Sequence, residues 1–351
     1  MIAPSVAESE FRKAASARIL VKDGPYGTAI QALKLTEADF RGQLDVTHDQ
    51  KGNNDILNLT QPDKIAAIAR SYLDSGAELL ATNSFNATRI SQADYGNEDR
   101  VREINLAAAR IQRQEINAKI AADGRPRFLA GALGPTNKTL SLSPRVDDPG
   151  FREVDFDGVK AVYREQIDAL LDGGVDFILI ETVFDTLNAK AAAFAAMDAE
   201  EERQQRVPVM LSMTLTDRAG RNLSGQTVEA FWTSVKHAKP LTIGLNCSFG
   251  ATELRPLVQQ LSAIADALLM AYPNAGLPNA LGSYDEAPET TARLIREWAD
   301  MGLLNVVGGC CGTTPAHIAA LAQAVAGVAP RAIPDVPAKL RLSGLEMAVF
   351  E

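Results

Sequence analysis

Short apolar runs alternate along the chain with longer stretches whose apolar positions recur every three or four residues. The first pattern predicts buried strands and the second amphipathic helices. Strands are expected over residues 18–22, 78–82, 128–132, 176–181, 208–214, 241–246, 268–272 and 303–307. Helices are expected over 62–76, 98–122, 156–173, 186–202, 227–236, 253–266 and 289–301. Several helical stretches run into glycine, as at Ser75-Gly76 and Asp172-Gly173, where a helix commonly stops. Eight strands in strict alternation with helices predict an α/β fold, a (β/α)8 TIM barrel forming a single domain. An open doubly wound sheet is the competing topology, and it usually has fewer units.

The pattern breaks in two places. Residues 34–59 are polar and rich in Asp, Gln, Gly and Asn, and they read as a long loop on the C-terminal face of the barrel. Residues 328–351 carry Pro330, Pro334 and Pro337 and read as a C-terminal arm or linker. Residues 1–17 form an N-terminal extension, which leaves 18–327 as the barrel. That extension mixes Glu8, Glu10, Arg12 and Lys13 with short apolar stretches, so no secretory leader is predicted. Nowhere do roughly 18 apolar residues run together, so no membrane partner is expected.

Composition narrows the function classes. Hydrophobic residues make up 46% of the 351, enough for a sizeable core. The 35 basic and 44 acidic residues give a net charge of −9 with no Lys/Arg block, which argues against a nucleic-acid partner. The three cysteines are odd in number and two are adjacent, a poor disulfide framework. A reducing, cytoplasmic setting follows.

Those cysteines, Cys247, Cys310 and Cys311, all lie at the ends of predicted strands six and eight, in Gly244-Leu245-Asn246-Cys247 and Gly308-Gly309-Cys310-Cys311-Gly312. One cysteine alone would read as a small buried hydrophobe. Three at strand ends predict a sulfur-rich metal site, with zinc its occupant and a fourth position open, as in catalytic zinc centres. The short multi-Cys run of an iron–sulfur site is missing, and a disulfide between neighbours would be strained. Adjacent strand residues face opposite ways, so the surrounding glycines must turn the chain to aim both Cys310 and Cys311 inward.

Other unusual segments also fall where strands end, the face that holds active sites in such barrels. Asp23-Gly24-Pro25-Tyr26-Gly27-Thr28 exposes backbone N–H groups that can hold a carboxylate, or it is an ordinary tight turn. Glu181 ends the apolar run Phe177-Ile178-Leu179-Ile180 and is either paired structurally or meets a cationic ligand group. His48, His237 and His317 are not read as ligands. A substrate with a thiol for the open zinc position, an amine for Glu181 and a carboxylate for the first loop fits these parts. Homocysteine is such a molecule.

These segments, with Thr82-Asn83-Ser84-Phe85-Asn86-Ala87-Thr88, Gly131-Ala132-Leu133-Gly134-Pro135-Thr136-Asn137, Ile180-Glu181-Thr182-Val183-Phe184-Asp185-Thr186-Leu187-Asn188 and Ser224-Gly225-Gln226-Thr227, resemble the homocysteine-binding barrel of cobalamin-dependent methionine synthase. The resemblance runs from about Arg18 to about Glu346. It implies Cys247, Cys310 and Cys311 as zinc ligands and catalytic centre, and Asp23, Gly24, Gly27, Thr28 and Glu181 as substrate-binding residues. Asn246 joins the substrate group and is one candidate for the fourth zinc position at rest. Pro25-Tyr26 departs from the family, which often has a small residue followed by Met.

The implied reaction is attack by zinc-activated homocysteine sulfur on the methyl group of methylcobalamin, giving methionine. The family's cobalamin signature, Asp-x-His-x-x-Gly, is absent, so the corrinoid is expected on a partner chain or domain, whether this is a natural subunit or an excised piece. The runner-up is a methyltransferase using betaine or a methylsulfonium donor, which favours an aromatic cage. Two Trp and six Tyr, with Trp232 and Trp298 in helical patterns, give that little support. A non-catalytic thiol- or zinc-binding barrel is the third reading.

Overall fold

The structure is a computed structural model that describes residues 2–280 and 282–350. Met1 and Glu351, the outer ends of the two flanking segments, lie outside the described residues. Eight strands form one parallel sheet: β1 Leu20–Val21, β2 Leu79–Ala81, β3 Phe128–Leu133, β4 Phe177–Val183, β5 Val209–Met213, β6 Thr242–Gly250, β7 Leu268–Asn274 and β8 Val306–Val307. Their spatial order is β1-β8-β7-β6-β5-β4-β3-β2. The two ends of that order meet as well. Lys22 bridges Leu79 in parallel, Asp23 N–H donates to Leu79 O at 2.9 Å, and Glu78 N–H donates to Val21 O at 2.7 Å. The sheet therefore closes into the barrel that the alternation predicts, and the open topology is excluded.

Strand alternation sorts the core into two shells. Leu20, Leu79, Phe128, Phe177, Leu179, Met210, Leu268 and Met270 pack inside the barrel. Val21, Leu80, Leu129, Ile178, Ile180, Leu211, Ile243 and Leu269 face outward to the helices. Both faces of each strand are thus apolar, which is why these strands read as continuous runs. At Gly244 the strands approach too closely for a side chain: a Cβ there would lie 1.7 Å from the Met270 carbonyl oxygen.

Residues read as an extension contain a helix, Val6–Ala17, started by Ser5, whose Oγ accepts the Glu8 N–H at 3.0 Å. Its Phe11 is fully buried beneath the barrel and meets Phe128 and Phe177 edge-on, each at 5.1 Å between ring centroids. The 34–59 segment corrects the sequence reading of a plain loop. It holds short helices at Glu37–Arg41 and Leu57–Thr60, the first fixed by a capping box between Thr36 and Asp39. Helices of four or five residues are too short to show a period. Tyr26–Ala32, whose first three residues fall in the segment read as a loop or tight turn, is a helix. In the arm, β9 Leu340–Ser343 and β10 Met347–Phe350 form an antiparallel hairpin. It is tied to the barrel by Thr227 N–H donating to Leu345 O at 2.9 Å and Ser343 Oγ donating to Ala230 O at 2.7 Å.

Because Phe11 fills the floor of the barrel, Phe11→Ala should lower stability by about 3–5 kcal/mol. Urea unfolding checks this, and a loss below about 1 kcal/mol would show that the floor does not depend on it.

Candidate active site

The inner positions change character one pair of residues above the apolar layers. Lys22 follows Leu20, Glu181 follows Leu179, Ser212 follows Met210, Asn246 follows Gly244 and Tyr272 follows Met270. Alternation points each of them into the C-terminal mouth. There they meet a cavity of about 280 Å³, whose wall includes Lys22, Gly24, Gly27, Thr28, Asp55, Glu181, Asn246 and all three cysteines.

The cysteines converge. Their sulfurs all lie within 4.8 Å of one another, and Cys247 Sγ is 3.8 Å from Cys311 Sγ. Tetrahedral zinc with Zn–S bonds of ~2.3 Å requires sulfurs ~3.8 Å apart, so the donor set fits such an ion. Backbone strain aims Cys247: it and Ser248 have φ of 62° and 63°, and the β6–β7 register slips between Asn246 and Gly250. The Ser248 hydroxyl anchors this kink by accepting Leu215 N–H at 3.1 Å and pairing with Thr214 Oγ1 at 2.6 Å. Beyond β8, Gly312 has φ +81° and lies against Tyr284, where a Cβ would come within 2.3 Å. The turn there is closed by Cys310 N–H donating to Pro273 O at 2.8 Å and Ala275 N–H donating to Cys311 O at 2.9 Å. As expected from the glycines, the chain leaves the strand before it presents both thiols. Hydrogen bonds from Cys247 and Cys310 pull the Cys311 thiol well below its ordinary range, and bonding to Cys247 and Cys311 pushes Cys310 up.

Asn246 braces this corner. Its Oδ1 accepts Ser212 Oγ at 2.6 Å and Thr182 N–H at 3.1 Å, while its Nδ2 donates to Thr182 Oγ1 at 2.9 Å and lies 4.0 Å from Cys310 Sγ. Its amide oxygen is therefore already engaged. Glu181 is on the cavity wall, with Oε2 accepting the Tyr272 hydroxyl at 2.9 Å. Burial pushes its pKa up, against the pull of Lys22 and Tyr272.

The structure brings Gly24, Gly27, Thr28, Glu181, Asn246 and the three cysteines to one cavity, but Asp23 takes another place. It is fully buried, with Oδ1 accepting Lys22 Nζ at 2.7 Å and Oδ2 accepting Ala81 N–H at 2.9 Å. Lys22, Asp55, Tyr272 and Tyr284 were not singled out from the sequence. Lys22 carried a usable signal, since a lysine two residues beyond an inward Leu20 must also point inward. Burial alone would lower its pKa, but the carboxylates of Asp23 and Glu181 outweigh that and keep the ammonium charged.

A closed parallel barrel whose mouth gathers three thiols at chelating distance beside a charged pocket defines a protein that can hold a soft metal and a small polar ligand together. The chain belongs to the homocysteine S-methyltransferase family, which it matches over residues 20–325. Among solved structures it is similar to the homocysteine methyltransferase MmuM from Escherichia coli. The metallated form gives a TM-score of 0.69 at 23% identity, over 87% of this chain and 96% of that one. The oxidised form gives 0.68 at 22%, over 86% and 94%. At these identities the likeness speaks for the fold alone. Among the described residues no helix is long and apolar enough to cross a membrane.

Asp55 supplies a pH prediction. It is 3% exposed, its Oδ1 accepts Asn86 N–H at 3.0 Å, and burial pushes its pKa from 3.8 to about 7. Between those values the folded chain keeps a proton that the unfolded chain has released, so this group's contribution to stability falls as pH rises. Asp55→Asn retains the acceptor and should flatten that slope, with a gain of about 2–4 kcal/mol at pH 8. Denaturant midpoints measured across the range check it; unchanged slopes would mean that Asp55 is ionised at low pH in the fold.

Proposed function

We propose that this barrel is a zinc-dependent homocysteine S-methyltransferase that activates homocysteine for cobalamin-dependent methionine synthesis, with methylcobalamin carried on another chain or domain. The observation that carries the reading is the convergence of Cys247, Cys310 and Cys311 beside a cavity walled by Glu181. Those three residues would hold the zinc. Bound zinc supplies a Lewis acid that keeps a coordinated thiol deprotonated near neutral pH, where a free thiol is only a few per cent thiolate.

The remaining work falls to the chain's own groups. Glu181 receives the ammonium of homocysteine, and the segment Gly24 to Thr28 lies at its carboxylate end. Held this way, the sulfur attacks in line: the S–CH₃ bond forms as the donor–CH₃ bond breaks, and the donor keeps the electron pair. Positioning of this kind supplies much of the rate. The resemblance of the strand-end segments supports the corrinoid donor.

A second reading, a self-sufficient enzyme using a betaine or methylsulfonium donor, has one observation on its side. Tyr26, Phe85 and Tyr272 all line the cavity, so it holds more aromatic surface than the sequence led one to expect.

Donor assays separate the two. The zinc-loaded chain should methylate homocysteine with methylcobalamin or a corrinoid protein, and fail with betaine or a methylsulfonium salt. Turnover with a small onium donor would reverse the assignment, and binding without transfer from any donor would remove the enzymatic reading. Cys310→Ser should weaken zinc more than about 100-fold, beyond what losing an outer-shell partner costs. A variant that keeps full zinc and full transfer would sink the metal assignment.

A further inference from the structure

We infer that Lys22 binds the α-carboxylate of the substrate and makes the pocket selective for a zwitterionic aminothiol over an uncharged or singly charged thiol. The inference rests on the homocysteine reading above and names the group that recognises one end of that molecule.

Lys22 is a buried cation set into the cavity wall, 4% exposed. Its ammonium lies 4.7 Å from the centre of the Tyr272 ring, and that tyrosine's hydroxyl is bonded to Glu181. One wall thus presents a cation and an anion around a single aromatic ring. Among the described residues Asp23 is its one hydrogen-bond acceptor, which leaves donors of the ammonium free for a ligand. The site is shaped around this side chain: a Cβ at Gly308 would come 2.9 Å from Lys22 Cβ.

The helix Tyr26–Ala32 opens onto the same cavity at Pro25, which makes no side-chain cap hydrogen bond. Thr28 Oγ1 is buried with no hydrogen-bond partner, and the residue lines the same cavity. A ligand carboxylate between Lys22 and Thr28 would satisfy both. Asp23, placed at the substrate's amino-acid end by family resemblance, then acts one step removed from the ligand. Held by Ala81 N–H, it fixes Lys22 in position.

Removing Lys22 alone would strand the buried Asp23 carboxylate and confuse a binding loss with a folding loss. The informative variant is therefore the double change Lys22→Met with Asp23→Asn, alongside Lys22→Arg. Calorimetry on the zinc-loaded full chain would compare L-homocysteine with 3-aminopropane-1-thiol, which lacks the carboxylate, and circular dichroism and zinc content would confirm intact protein. Wild type should prefer homocysteine by about 10- to 100-fold, the range of one or two charge-assisted hydrogen bonds. The double variant should lose that preference while binding the aminothiol within about threefold of wild type, and Lys22→Arg should retain part of it. Equal losses for both ligands, or no loss, would overturn the role of Lys22 and leave the homocysteine reading standing. Failure of wild type to bind homocysteine at all would overturn both. If the double variant does not fold, Lys22→Arg decides the matter: a changed ratio supports the inference, and an unchanged ratio with unchanged affinities rejects it.

Discussion

Closing eight parallel strands into a cylinder is the constraint on which the rest of this protein depends. Every strand then ends at the same rim, and every second residue of every strand points to the same axis. Apolar residues fill the axis from Leu20, Phe177 and Met270 downward, and the helix at Val6–Ala17 seals the floor with Phe11. One pair of residues higher, the same alternation delivers Lys22, Glu181, Ser212, Asn246 and Tyr272 to one place. The polar mouth is therefore the top layer of the core, built by the geometry that packs its base.

Regular strands cannot bring three sulfurs together, and the rim departs from regularity where they must meet. Thr182, Cys247 and Ser248 all adopt positive φ, on the order of 1–3 kcal/mol of strain each. The bonds that offset it surround the site. Asn246 couples Thr182 to Ser212, and Ser248 is locked to Thr214 and Leu215. Beyond β8 the glycines remove the steric cost of the same manoeuvre. These bonds and turns hold the sulfurs at chelating distance.

The electrostatics of the mouth follow from burial. Lys22 and Asp23 are withdrawn from water and Glu181 is half-buried, and an isolated charge there would be costly. Lys22 sits between two carboxylates and stays charged, while burial holds the Glu181 pKa up against the pull of Lys22 and the Tyr272 hydroxyl. Such a pocket favours a ligand that carries both signs of charge and disfavours one that brings only one.

Much of this was legible in the chain. The eight apolar runs mark the strands, because burial on both faces leaves no room for polar alternation. The strand-end positions of Cys247, Cys310, Cys311 and Glu181 were readable because a barrel sends every strand end to one rim. Elements of four to seven residues, such as Glu37–Arg41 and Tyr26–Ala32, escaped notice, since one turn of helix shows no periodicity. The sequence by itself determined the fold class and the strand-end places of the three cysteines and Glu181. Tertiary structure alone decided their partners: Asp23 faces Lys22 rather than the cavity, Asn246 spends its amide on Thr182 and Ser212, and buried Asp55 accepts the Asn86 N–H. Those choices depend on which strands lie side by side and in what register, and that is fixed only when the cylinder closes.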